Sequence, residues 1–209
     1  MPLSTSIRSG QLRRIVTIMF VLVALLGLPS CWMFSINPLF DGASDPDLVF
    51  DQNLVGSWAL VREGCELVLT MEASARAYAM KISPGAGCKD EKASHPYWGY
   101  LVKLDNHRFL DVTPGPGQFE ACDLCLSVHT FALLSLENNN LVMTPLDGEW
   151  LFESIKNKKV VLAHIGGDDG ADIDMTLTAR PAELKDFLRK YVNDKDAFKA
   201  RTSLIFTRK

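Results

Sequence analysis

The sequence predicts a mainly β protein, an antiparallel β-barrel or strongly bent sheet with one amphipathic helix near the C-terminus. Three observations carry this. Short apolar–polar alternations recur from Val55 to Ala179, clusters of Gly, Asn and Asp punctuate them, and the clearest helical stripe lies at Pro181 to Asn193. About nine or ten strands would need their edges covered, and closing the sheet on itself removes them.

The elements follow in order. Val55 to Glu63 opens the strand series, and Glu66 to Glu72 with Ala75 to Ser83 reads as a hairpin turning at Ala73-Ser74. In the latter, Tyr78, Met80 and Ile82 alternate with Ala79 and Lys81, the period of two that a half-buried strand requires. Further strands are expected at Tyr97 to Leu104, Arg108 to Thr113, Leu126 to Glu137, Leu141 to Pro145, Lys159 to Ile165, Ile173 to Ala179 and Ser203 to Arg208. Asp105-Asn106 and Asn138-Asn139-Asn140 are turn sequences, because Asn and Asp tolerate positive φ. Gly148 to Asn157 has the makings of one or two helical turns around Trp150, Leu151 and Ile155. In Pro181 to Asn193, Pro181 suits the first helical position, Glu183 the first turn, and Leu184, Phe187, Leu188 and Tyr191 form one apolar stripe.

The N-terminus sets the address. Arg8, Arg13 and Arg14 precede an apolar run from Ile15 to Leu28, and no acidic residue occurs before Asp41. That is the plan of a secretory signal. Leu28-Pro29-Ser30-Cys31 resembles the lipobox of bacterial lipoproteins, in which cleavage falls before a diacylglyceryl-modified cysteine; Pro29 departs from the small or β-branched residue common at its position. The resemblance implies removal of residues 1–30 and a lipidated Cys31; Pro38, Gly42, Asp45 and Pro46 then punctuate a tether over 31–53, before an exported domain over 54–209. Trp32, Met33 and Phe34 also extend the apolar stretch towards the roughly 20 residues of a membrane span, so an uncleaved anchor is the alternative. Both place the domain on the non-cytoplasmic side of a membrane, in the cell envelope; where the Gram-negative sorting rule applies, Trp32 in place of Asp implies the outer membrane. The apolar residues among Trp32, Met33, Phe34, Leu39, Phe40, Val49 and Phe50 are expected to lie partly on the domain or at the membrane interface.

The whole chain carries a net charge of −3, and loss of the arginines in the leader makes the mature domain more acidic. Such a balance argues against nucleic acid as a partner. Besides Cys31 the chain has Cys65, Cys88, Cys122 and Cys125, an even set suited to disulfides in an exported protein. A short hairpin favours Cys65 with Cys88, leaving Cys122 with Cys125; zinc or redox chemistry at these cysteines is the alternative.

Gly56-Ser57-Trp58 at the head of the first strand, with an amphipathic helix before a last strand ending Phe206-Thr207-Arg208, resembles the lipocalin and calycin plan. The resemblance implies that Trp58 closes the barrel floor and Arg208 packs across it, with Gly56 part of the same motif. An apolar small molecule in the barrel is the ligand class it suggests.

Candidate ligand-lining residues are His129, Phe131, Tyr97 and Tyr100, an aromatic and imidazole set that could edge a cavity. The acidic run from Asp168 to Asp174 offers hard oxygen donors but fits neither an EF-hand loop nor a repeat-type calcium site, so a solvated turn is expected. No phosphate loop, dinucleotide fingerprint, nucleophile elbow or His-Glu-x-x-His pairing occurs, so no catalytic residue, metal or cofactor is assigned. The expectation is a noncatalytic binding module for an apolar ligand. A structural or assembly component that binds an envelope protein is the alternative, and a hydrolase or isomerase using His129 or the acidic loop is a third.

Overall fold

Tight hairpins wind the chain into a barrel, and the segments left over build a second layer on one side of it. The computed structural model describes residues 33–88, 94–115, 128–167 and 175–209. Cys31, Cys122, Cys125 and the Asp168 to Asp174 run lie outside the described residues.

Two short strands come first, β1 (Phe34–Ser35) and β2 (Leu48–Val49). A 3-10 turn at Gln52–Leu54 then leads into β3 (Gly56–Arg62), β4 (Cys65–Ser74), β5 (Ala77–Pro84), β6 (His95–Leu104), β7 (His107–Pro114), β8 (Thr130–Glu137) and β9 (Asn140–Pro145). Helix α1 (Gly148–Lys156), the short strands β10 (His164–Ile165) and β11 (Thr176–Leu177), helix α2 (Pro181–Tyr191) and strand β12 (Leu204–Arg208) follow. Strands β3 to β9 pair antiparallel in sequence, β12 inserts between β3 and β9, and the β6–β7 pairing closes an eight-stranded antiparallel barrel.

The turn chemistry explains the registers. Arg62 pairs with Cys65 across Glu63-Gly64, and Glu137 with Asn140 across Asn138-Asn139. All four turn residues have positive φ, as two-residue hairpins between right-twisted strands require. The β4–β5 turn falls at Ala75-Arg76, two residues past the expected Ala73-Ser74, because the ladder runs on to pair Ser74 with Ala77.

One core fills the barrel. Trp58, Leu69, Met71, Tyr78, Met80, Leu101, Leu110, Leu134, Leu141, Met143 and Phe206 alternate inward along their strands and are each 5% exposed or less. The other core lies outside, where α1, α2 and residues 33–50 cover Val102, Leu104, Phe109 and Phe131 on the outer face of the barrel. The predicted stripe of α2 behaves accordingly: Leu184, Phe187, Leu188 and Tyr191 are buried. Glu183 accepts from the Arg180 amide at 2.9 Å at the start of that helix, and Asp147 accepts from the Trp150 amide at 2.8 Å at the start of α1.

Residues 159–165 and 173–179 were expected as full strands. Among the described residues they contribute only β10 and β11, which form a separate three-stranded sheet with β1 in the order β1-β11-β10. The eight places in the ring are taken by β3 to β9 and β12, and β2 adds to β6 beside it.

Candidate functional site

The barrel floor is built by the first turn of the 3-10 segment and the two ends of the barrel chain. Trp58 is fully buried, and its Nε1–H donates to the Leu54 carbonyl at 2.9 Å. The Arg208 guanidinium lies 4.5 Å from the Trp58 ring and donates to the Asn53 carbonyl. Gly56 lies beneath it with φ +138, and a Cβ there would stand 3.3 Å from Arg208 Nη1. Only glycine occupies that backbone region freely, so the residue is set by both conformation and space. Tyr78 completes the seal: its hydroxyl accepts from the Asp51 amide at 2.8 Å, and its ring stacks on Phe50 at 5.0 Å.

Above the floor the interior is occupied by side chains. A Cβ on Gly99 would lie 2.3 Å from Met80 Sδ and 3.3 Å from Leu110 Cδ1. A methyl group there would require the Met80 side chain to shift. Towards the other end, Leu60, Leu67, Ile82, Tyr97, Val112 and Leu204 are only partly buried, giving an apolar rim. Beside that rim the Cys65–Cys88 disulfide, with Cα atoms 4.5 Å apart, ties the β3–β4 turn to the chain after β5.

Of the four candidate ligand-lining residues, Tyr100, Phe131 and His129 gather around Asp111 on the outer face of the barrel, and Tyr97 stands apart. Tyr97 packs with the barrel interior, at the rim. Tyr100 and Phe131 pack with the outer core, where the Tyr100 ring meets Phe40 at 4.6 Å. His129 bridges through its backbone to Ser35 of β1, and its Nδ1 lies 2.7 Å from Asp111 Oδ1.

Asp111 is fully buried on the outer face of β7, and its Oδ2 accepts from the Leu39 amide at 2.7 Å. Burial pushes its carboxyl above the usual range, while the His129 ring and the Leu39 amide pull it back. Burial and the Asp111 charge together raise the Tyr100 hydroxyl. A His–Asp pair of this kind can orient a proton-transferring imidazole. The hydroxyl of the neighbouring Ser35 donates to the Asn37 carbonyl at 2.8 Å. The pair holds residues 35–39 on the barrel wall.

A second polar group does the same further along. Lys185 Nζ stands 2.7 Å from both Asp45 Oδ2 and Asp47 Oδ2, with Lys185 and Asp45 only 8% and 4% exposed. Burial opposes the Asp45 charge, but Lys185 and the Asp41 and Asp47 amides bring its carboxyl below the ordinary range. Burial likewise opposes the Lys185 charge, and the two carboxylates raise it nonetheless. Asp111, Asp45 and Lys185 were not singled out in the sequence. The only available signal was a charge within an otherwise apolar stretch, as at Asp111 between Leu110 and Val112.

Among the described residues no cluster of three or more His, Cys, Asp and Glu side chains is placed to hold a metal ion. Two surface recesses, of about 470 and 670 Å³, lie outside the barrel, beside α1 and between α2 and residues 159–163. No protein-family model, no curated protein and no solved structure matches the chain.

Proposed function

We propose that this chain is a membrane-anchored lipoprotein of the bacterial cell envelope whose barrel is a rigid, noncatalytic body acting through its surface, as a structural or assembly component. The observation that supports this best is the packed barrel centre, where inward side chains including Trp58, Tyr78, Leu101, Leu110 and Leu141 are almost fully buried and Met80 and Leu110 pack against Gly99. An eight-stranded barrel is just wide enough either to be filled by its own side chains or to hold one small ligand, and this one is filled there. The anchor is the lipidated Cys31 that the N-terminal sequence implies, with the domain held on the non-cytoplasmic face.

A second reading rests on the apolar rim formed by Leu60, Ile82, Tyr97, Val112 and Leu204, which could seat an apolar small molecule at the mouth. Titrating the purified full-length protein with an environment-sensitive fluorescent fatty acid separates the two. The structural reading expects no saturable binding. Saturable one-to-one binding abolished by Tyr97→Asp would overturn it in favour of the rim. The anchor is tested by feeding labelled palmitate to expressing cells: incorporation should be lost in Cys31→Ala.

A further inference from the structure

The small sheet β1-β11-β10 has one face turned to the outer core and one turned outward. Ser35 and Leu177 point inward and are fully buried, so their neighbours Phe34, Ile36, Thr176 and Thr178 point outward. Ile165 pairs with Thr176, as Phe34 does, and so shares that outward face. The alternation continues before β10: Val160 and Leu162 are buried, whereas Val161 and Ala163 are exposed. The outward face thus carries Phe34 at 45% exposure, Ile36 at 37%, Val161 at 93% and Ile165 at 59%, with Ala163 and two threonines between them. None of these residues is charged.

The place of this face along the chain identifies what covers it. Met33 is 3% exposed and packed in the outer core, so the folded body begins two residues after Cys31. Two extended residues span at most about 7 Å, about the thickness of one lipid headgroup layer. A free linker of twenty residues would let the domain tumble away from its anchor; this leash cannot. Phe34 is the next residue along and is itself on the face.

We infer that the outward face of β1-β11-β10 rests on the bilayer, with Phe34, Ile36, Val161 and Ile165 in the interfacial layer, so that the barrel is held in one fixed orientation against the membrane. The inference rests on the anchored reading above. The attraction is apolar rather than electrostatic, which reconciles it with an acidic domain: among the described residues the face presents no charge to be desolvated. A fixed orientation also gives the surface-acting barrel a defined side for contact with envelope partners.

The test uses the full chain with its native modification, reconstituted into phosphatidylcholine vesicles whose acyl chains are brominated. A fluorescent non-natural amino acid is placed singly at position 165, at position 161, and at position 61. Val61 is 69% exposed and lies on β3, across the barrel, so it serves as the control. Flotation reports the anchor, and bromine quenching reports docking. The expected result is protein that floats, with about twofold quenching at 165 and 161 and little at 61, since an interfacial apolar face sits roughly 5 to 10 Å into the headgroup boundary. Added salt should leave the quenching unchanged. Floating protein in which 165 and 161 are quenched no more than 61 overturns the docking while leaving the anchor standing. Probes at 165 and 161 shielded from aqueous iodide yet unquenched by the lipid mean that a second copy or another protein covers the face, which also overturns it. Protein that does not float refutes the anchored reading and the inference with it.

Discussion

The two cores of this protein are built on different principles. The barrel interior is apolar, made of side chains that alternate along hydrogen-bonded strands, and its floor charge, Arg208, sits over an aromatic ring. The outer core joins residues 33–50, 146–162 and 175–198, segments far apart in the chain, and it buries charge: Asp111 beside His129, and Lys185 between Asp45 and Asp47. The contrast teaches where positional information comes from. A ladder fixes register by itself, because a one-residue slip would turn every inward side chain outward. A helix laid on an apolar wall has no such ladder, and a paired buried charge selects one placement over its neighbours. That role for the Lys185 cluster is a hypothesis, motivated by its span of 140 residues in sequence.

The largest effect that would test this contrast is expected in the barrel. Trp58→Ala should cost about 4 kcal/mol in urea unfolding, more than Phe187→Ala in the outer layer, because its cavity is enclosed on all sides. Equal losses would break the distinction between a sealed core and a covering one. Reduction of Cys65–Cys88, which closes a loop with a sequence separation of 23, should destabilise the protein by about 3 kcal/mol, read as a lower urea midpoint.

Lys185→Ala should cost roughly 2 to 3 kcal/mol, since it leaves Asp45 buried without its cation at the margin of the core. The paired change Asp45→Asn with Lys185→Met should recover most of that loss, and hydrogen exchange should show residues 33–50 opening first in the single variant. No recovery in the double variant would count against the cluster acting as a placement device.

The pH dependence sharpens the contrast further. Asp111 has a carboxyl raised above its ordinary 3.8, so the folded state holds that proton more tightly than the unfolded chain. Its contribution is therefore lost as pH rises through and above that value. Asp45 runs the other way: its lowered carboxyl favours folding above 3.8 and ceases to do so as the solution becomes more acidic. Asp111→Asn should accordingly flatten the fall in stability on going from about pH 4 to neutrality, measured by thermal unfolding, while leaving the acid limb in place. The smallest effect is expected at the floor, where Arg208→Ala should cost about 1 kcal/mol from the lost ring contact.

Much of the barrel was readable from local patterns. Tyr78, Met80 and Ile82 announce a strand by period, Asn138-Asn139 a two-residue turn by its tolerance of positive φ, and Leu184 to Tyr191 a helix by spacing. The pairing of Cys65 with Cys88 followed from a hairpin that brings the two near each other. The candidate site was much less readable. His129, Phe131, Tyr97 and Tyr100 are close in strand pattern, yet neighbouring residues on a strand face opposite ways, and three of the four pack outside the barrel. Period alone does not say which face is the interior when both faces are buried, as they are on β7 where Leu110 and Asp111 are each fully covered.

What the sequence alone determined is therefore what residues within a hairpin or a helix of one another carry: the strand segments that became the barrel among about ten expected, two helices, their turns, and the favoured Cys65–Cys88 pairing. Tertiary structure alone decided which strands close the ring, that residues 159–165 and 175–179 lie outside it, and that Asp111, Asp45 and Lys185 are buried. The physical reason is range. Period, turn chemistry and capping act over a few residues, whereas a second buried face exists only once chain segments more than a hundred residues apart have come together to cover it.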